Sequence, residues 1–305
     1  MKGTNGFLIV NKHKGCTSHD CVKEIRKLFK TKKVGHTGTL DPQVTGILPI
    51  ALGHATKFIQ YLPQEKSYSG IIKLGIQTNT DDIHGEIIKR KEWPNLSYEQ
   101  LEKYLNSFRG SFQQIPPQLS SVHIEGEKAY KKFFRNEKFE MASKKVHISE
   151  LILKNWDQND GKIKLEISCS SGTYIRSLAR DLGSLLNSVG CLYELQRTSS
   201  SGFNKKNTNC LDLNKIPANL NKLVIPTINA LNHIPEYVLT SKEDINFWET
   251  GRKINIKSIN APLNGDIQQS KTIKVVNKKN QLLGIGLRID KELIYLQPKL
   301  VLNAR

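Results

Sequence analysis

Apolar residues along the chain recur in two rhythms. Tyr68, Gly70, Ile72 and Leu74 fall on alternate positions, which puts them on one face of a strand over residues 68–76. Residues 148–153 and 163–169 predict two further strands, and the unbroken apolar run 7–10 predicts a short buried one. Helical spacing marks Val22, Ile25 and Phe29 behind a Thr17/Asp20 capping box. It marks Leu101, Leu105 and Phe108 behind Ser97/Gln100, with Gly110 at the exit. Ile175, Leu178, Leu182 and Leu185 build an amphipathic helix over 174–186, and 55–62 predicts a shorter one. Residues 45–52 are apolar but contain Pro49, which cannot donate to a ladder, so an edge strand or buried turn is expected there rather than a central strand. Strands and helices mix without a regular βαβ repeat, which predicts an α+β fold.

Around residues 204–235 the pattern lapses into Asn and Lys, punctuated by Pro217 and Pro226. Beyond it come Val238-Leu239, a helix over 241–250 and short apolar runs at 273–276 and 282–287. Short strands of this kind predict a small, mostly β domain. The expected division is therefore a large domain over 1–235 and a small one over 236–305, which suits a chain of 305 residues.

The formal net charge of +18 favours a polyanion partner, nucleic acid first. A membrane-surface helix is the rival, but no long helix joins a Lys/Arg face to a Trp/Leu face. A lysine-rich composition that serves solubility accounts for part of the excess. Lys23, Arg26, Lys27, Lys30, Lys32 and Lys33 fit a phosphate track or a solvated helix face equally well. No apolar run approaches the roughly 20 residues of a membrane span. The four apolar residues 7–10 soon meet Lys12 and Lys14, so neither a secretory signal nor an anchor is expected, and the expected address is cytoplasmic. Five scattered cysteines without a Cys-x-x-Cys pair predict no zinc site, and Cys169, inside an alternating run, is expected to be a buried thiol.

Three segments could carry chemistry. In Gly35-His36-Thr37-Gly38-Thr39-Leu40-Asp41-Pro42 the glycines and threonines make a poor helix and a poor strand, so a loop able to approach a ligand is expected. Pro42 pushes Asp41 into an extended conformation that presents its carboxylate, although an aspartate before proline commonly caps a turn. His36 equally fits a loop histidine bonded to backbone. No Gly-Lys-Ser/Thr follows, which excludes a Walker loop, and Gly35-x-x-Gly38 is only a short match to a KH-type nucleic-acid loop. In the second segment, 170–181, glycine turns the chain from strand into helix and puts Arg176 in the first helical turn. The helix dipole disfavours a cation there unless an anion faces it; pairing with Asp181 or solvation are the plain alternatives. The third segment, 108–121, carries Pro116-Pro117 and predicts a rigid connector.

Together these segments resemble the TruB family of tRNA pseudouridine-55 synthases. The resemblance rests on 35–42, Thr45-Gly46-Ile47-Leu48-Pro49, Gly53-His54-Ala55-Thr56-Lys57, Glu65-Lys66-Ser67-Tyr68 and Gly172-Thr173-Tyr174-Ile175-Arg176, in order over roughly the first 200 residues. It implies a mixed-sheet pseudouridine synthase domain, and Leu282-Leu283-Gly284-Ile285-Gly286 is similar to a PUA-type RNA-binding domain. It implies that Asp41 is the catalytic aspartate, that Tyr68 stacks on the target base and that Arg176 pairs with Asp41. His36 would push into the T loop, Tyr174 and Leu195 would line the uracil pocket, and Lys12, Gly35 and Gly38 would belong to the RNA-binding motifs. The implied partner is the T stem-loop of tRNA, met by a monomer without a cofactor or metal. His13, Ser121, His123 and Phe133-Phe134 depart from the family pattern and bear on RNA contacts rather than on Asp41, Tyr68 or Arg176. Three other functions fit parts of the sequence: a non-catalytic tRNA-binding protein on the same scaffold, a KH/PUA-type module, and a retaining glycosidase, which would need a second carboxylate about 5 Å away.

Overall fold

The computed structural model describes residues 4–206, 208–256, 271–290 and 293–302. The apolar start forms strand β1 (Gly6–Lys12), and the capping box then opens helix α1 (Ser18–Leu28): the Thr17 hydroxyl accepts from the Asp20 N–H and the Asp20 carboxylate from the Thr17 N–H, both at 3.1 Å. Short β2 (Val34–His36) precedes a loop, β3 (Thr45–Leu52) and a 3-10 turn at Gly53–Tyr61. Next come β4 (Lys66–Leu74) and a small hairpin of β5 (Ile76–Thr78) and β6 (Ile87–Arg90). Helix α2 (Tyr98–Leu105) leads to β7 (Gly110–Gln114). A protrusion follows, made of β8 (His123–Ile124), β9 (Glu127–Lys128) and α3 (Ala129–Phe134). The long hairpin of β10 (Lys144–Asp157) and β11 (Lys162–Cys169), helix α4 (Ile175–Leu185), β12 (Gly190–Ser200) and β13 (Phe203–Asn204) complete this part.

Among the described residues the main sheet runs β1-β3-β12-β4-β11-β10-β7, with β2 on β3 and β13 on β12. The alternation expected of β4 is observed: residues 68, 70, 72 and 74 turn inward and share one core with α1, α2 and α4. In α4 Leu185 lies outside that core, half exposed, and Leu186 just beyond the helix is buried in its place.

The expectation for Pro49 needs correcting. β3 lies inside the sheet, with Pro49 opposite Ile9 of β1. On its other side β3 has two partial neighbours: β12 meets residues 45 and 46, and β2 meets 50 to 52. The Pro49 carbonyl accepts from the Thr37 N–H at 3.0 Å just past the end of β2. The proline nitrogen lies on the same side of the strand as this carbonyl, away from β1, so the β1–β3 pairing runs on through Pro49 while β2 ends where the N–H is missing. The expected loop 35–42 likewise begins two residues later than predicted, because Gly35 and His36 pair with Ala51 and Ile50.

After β13 the chain returns along the free side of β1. Phe7 and Ile225 exchange both backbone bonds at 2.8 Å, and Leu211 bonds to Ile9 and Asn11. Helix α5 (Thr227–Ala230) follows. The second sheet begins with β14 (Glu236–Leu239), and α6 (Lys242–Glu249) packs a fully buried Trp248 against it. With β15 (Ile254–Asn255), β16 (Thr272–Asn277), β17 (Leu282–Asp290) and β18 (Ile294–Val301) its order is β14-β16-β17-β18-β15. Ile285 of β17 shares a core cluster with Phe7, Phe58 and Leu231. No helix among the described residues is long and apolar enough to cross a membrane.

Candidate active site

The loop between β2 and β3 is fastened by three buried side chains from different elements. Ser18, at the start of α1, accepts from the Leu40 N–H at 2.8 Å and donates to the Leu40 carbonyl at 3.2 Å. The Arg197 guanidinium, from β12, donates to the carbonyls of Gly38 at 3.1 Å, Thr39 at 3.3 Å and Ile47 at 2.9 Å. Lys12, at the end of β1, donates to the carbonyls of His13 at 3.0 Å, Cys16 at 2.8 Å and Pro42 at 3.0 Å. Neither cation has an ion-pair partner among the described residues. Burial accordingly pushes both of their pKa values down, and carbonyl dipoles supply the compensation that makes such burial tolerable. β12 comes so close to β3 here that a Cβ on Gly46 would lie 2.2 Å from the Arg197 carbonyl oxygen.

Within this clamped backbone Asp41 projects its carboxylate toward α4. Its Oδ2 meets the Arg176 Nε at 3.0 Å, with the arginine side chain 6% exposed and the aspartate 45%. Arg176 also donates to the Thr80 carbonyl at 3.1 Å and the Leu119 carbonyl at 3.0 Å. The cation in the first turn of α4 thus finds its anion from across the fold, while Asp181 pairs with Arg180 instead. The helix start is locked by buried Gln114, whose amide accepts from the Tyr174 N–H at 2.9 Å and donates to the Tyr174 carbonyl at 3.1 Å. Arg180 ties the same helix to Asp81 at 2.7 Å and to the Ile115 carbonyl at 2.8 Å.

Tyr68 of β4 has Arg197 opposite it in the β12 ladder, near enough for the guanidinium charge to act on its phenol. Burial pushes the phenol up to about 12, and the Asp41 charge adds to the rise. Leu195 lies opposite Gly70, on the same side as Arg197, so a leucine and a buried arginine flank the tyrosine. Tyr174 is half-buried; burial raises its pKa too, again with a contribution from Asp41. His36 ends β2. Burial and then the Arg197 charge lower its pKa, and its buried Nδ1 has no hydrogen-bond partner among the described residues. A carboxylate aimed by an arginine, with one oxygen left accessible beside two aromatic rings, can attack or deprotonate a flat base stacked there.

Residues 26–175 match the model described as TruB family pseudouridylate synthase (N terminal domain). Two proteins named tRNA pseudouridine synthase B from Prochlorococcus marinus align over the whole of this chain. That of strain MIT 9301 is 58% identical over 306 residues and is itself covered completely; that of strain NATL1A is 44% identical over 320 residues, with 99% of it covered. The chain belongs to the TruB family. The fold agrees: a chain in the crystal structure of a Cbf5-Nop10-Gar1 complex superposes with a TM-score of 0.74 at 22% identity, covering 97% of this chain and 84% of that one.

Of the residues expected at the site, Asp41 and Arg176 meet directly, Tyr68 and Tyr174 lie near enough to feel the Asp41 charge, Leu195 lies beside Tyr68 in the sheet, and His36 lies within range of the Arg197 charge. Lys12 does not offer its charge to RNA: it is 1% exposed and all its hydrogen bonds go to carbonyls, because the end of β1 runs beneath the loop. Gly35 sits in β2 with room for a side chain, since a Cβ there meets only ordinary contacts at 3.7 Å and 3.9 Å. Gly35-x-x-Gly38 runs out of the end of β2 toward β3 rather than joining two helices, which removes the KH reading. Much of the α1 charge is occupied within the protein: Lys23 pairs with Asp20, Lys27 with Glu24, and Arg26 with the Val34 carbonyl. Sequence reasoning missed Gln114 and Arg197. Arg197 left one trace, a cation two places after Leu195 on the inward phase of a strand.

Proposed function

We propose that this chain converts uridine 55 in the T loop of tRNA to pseudouridine, with Asp41 as the reacting carboxylate. The observation that carries the reading is the Asp41–Arg176 contact at 3.0 Å. One carboxylate oxygen is held there by a buried arginine, while the other makes no hydrogen bond with a described residue. The base must leave the stack to reach this oxygen, and an aromatic face compensates for the stacking it gives up. In this reading Tyr68 supplies that face, Tyr174 and Leu195 bound the uracil, and His36, held neutral by burial, enters the space the base vacates. The carboxylate assists cleavage of the carbon–nitrogen glycosidic bond, the uracil turns, and its C5 bonds to the same sugar carbon; C5 then gives up its proton and the freed N1 takes one. No electrons or groups are gained or lost, so the balance needs no co-reactant. We assign the catalytic part to residues 1–235 and an RNA-gripping part to 236–305.

The test is tRNA incubated with the wild type or with Asp41→Asn, followed by chemical mapping of pseudouridine. The expected outcome is modification at position 55 by the wild type only, with both proteins binding tRNA. Equal modification by both would overturn the assignment. No modification by either would favour a tRNA-binding protein without catalysis.

A further inference from the structure

Lys66 opens β4 and lies on the same face as Tyr68. It is half-buried, and its ammonium forms no hydrogen bond or ion pair with any described residue. Its neighbour across Gly38 is Arg197: a Cβ added to Gly38 would lie 3.4 Å from the Lys66 Nζ and 3.7 Å from the Arg197 Nη1. The two cations therefore straddle a glycine that leaves the space between them open.

Arg197 satisfies its donors on the carbonyls of residues 38, 39 and 47. Lys66 has nothing comparable. Burial first, and then the Arg197 charge, lower its pKa, so its positive form is unfavourable in the free protein. Arg176 already takes the carboxylate of Asp41. A partly desolvated ammonium facing a gap, backed by a second cation, becomes favourable when an anion enters. In an RNA complex the available anion is a phosphodiester, and a charge-assisted bond to it is strong where water is scarce.

We propose that Lys66 is a substrate-binding residue whose ammonium takes a phosphate oxygen of the RNA backbone beside the target nucleotide, with Gly38 leaving the gap. The assignment rests on the function proposed above. It explains why the chain keeps an uncompensated charge two residues before Tyr68: the charge serves the complex rather than the fold.

The experiment compares the wild type, Lys66→Met and Lys66→Arg on a T-arm RNA hairpin, reading Kd against KCl concentration, kcat, KM and Tm. One phosphate contact fewer lowers the slope of log K against log salt by about 0.7–0.9. Lys66→Met is expected to lose that increment and to raise KM about tenfold. It should leave kcat within about twofold and not lower Tm, because an unpaired buried charge is removed. Lys66→Arg should keep the wild-type slope. Hairpins carrying a single methylphosphonate linkage, 5′ or 3′ of the target, should at one position weaken the wild type and leave Lys66→Met unaffected. An unchanged slope with a fallen kcat would overturn the proposal in favour of an effect through Asp41 or Tyr68. A fallen Tm with an unchanged slope would overturn it in favour of a structural lysine. Wild-type protein that forms no pseudouridine would instead overturn the proposed function, a result distinguishable from both.

Discussion

Arg197 stands directly opposite Tyr68 across the β4–β12 ladder, and the same guanidinium holds the carbonyls two and three residues before Asp41. One fully buried side chain thus sets the ring and the carboxylate loop relative to each other.

Replacing Arg197 by Met should uncouple them. Three carbonyls lose their donor at once, at about 1–3 kcal/mol for each group left buried and unpaired. A stability loss of at least about 3 kcal/mol is expected, together with a kcat reduced more than tRNA affinity. Chemical denaturation and single-turnover kinetics check both; a variant of wild-type stability and rate would show that Arg197 fixes neither partner.

Arg176→Lys tests a different geometry. Three nitrogens of Arg176 serve Asp41, Thr80 and Leu119 from fixed positions of one plane. A single ammonium keeps the charge but cannot reproduce the fork. The expected result is a fall in kcat of about 100-fold or more, in the range seen when one preorganised contact is lost. Near-normal turnover by the lysine variant would reduce the role of Arg176 to charge alone.

His36 sets a pH dependence. Its pKa in the fold lies below the ordinary value of 6.5, because burial and Arg197 disfavour the proton. Between the folded value and 6.5 the unfolded chain binds more protons, so stability falls as pH falls through that window. His36→Gln should flatten this part of the profile, measured as Tm between pH 7.5 and 5. An unaltered slope would mean that other groups carry it.

Much of the fold was legible because its signals are local. Capping boxes at Thr17 and Ser97 and the alternation from Tyr68 to Leu74 involve neighbours in sequence, and each produced the expected element. Pro49 misled because the gap that accommodates it is formed by strands arriving from residues 34–36 and 196–197, which no local pattern reveals. The site divides in the same way. The awkward cation in the first turn of α4 was visible as a charge needing an anion, but only family resemblance named Asp41 as that anion, 135 positions earlier. The grip of Arg197 on residues 38 and 39 joins positions far apart in sequence and had no motif of its own.

The return of the chain along β1 bears on how the molecule is assembled. Ile225 closes the outer edge of β1 so tightly that a Cβ on Gly6 would come within 2.4 Å of its carbonyl oxygen. During synthesis the first strand to emerge is therefore among the last to have its edge sealed, after more than two hundred further residues have left the ribosome. Throughout that interval the nascent sheet presents an open, apolar edge to its surroundings, the kind of template on which chains cross-pair. Chaperone demand should concentrate in that interval, and truncations that end before Ile225 should aggregate even though every residue around Asp41 is present.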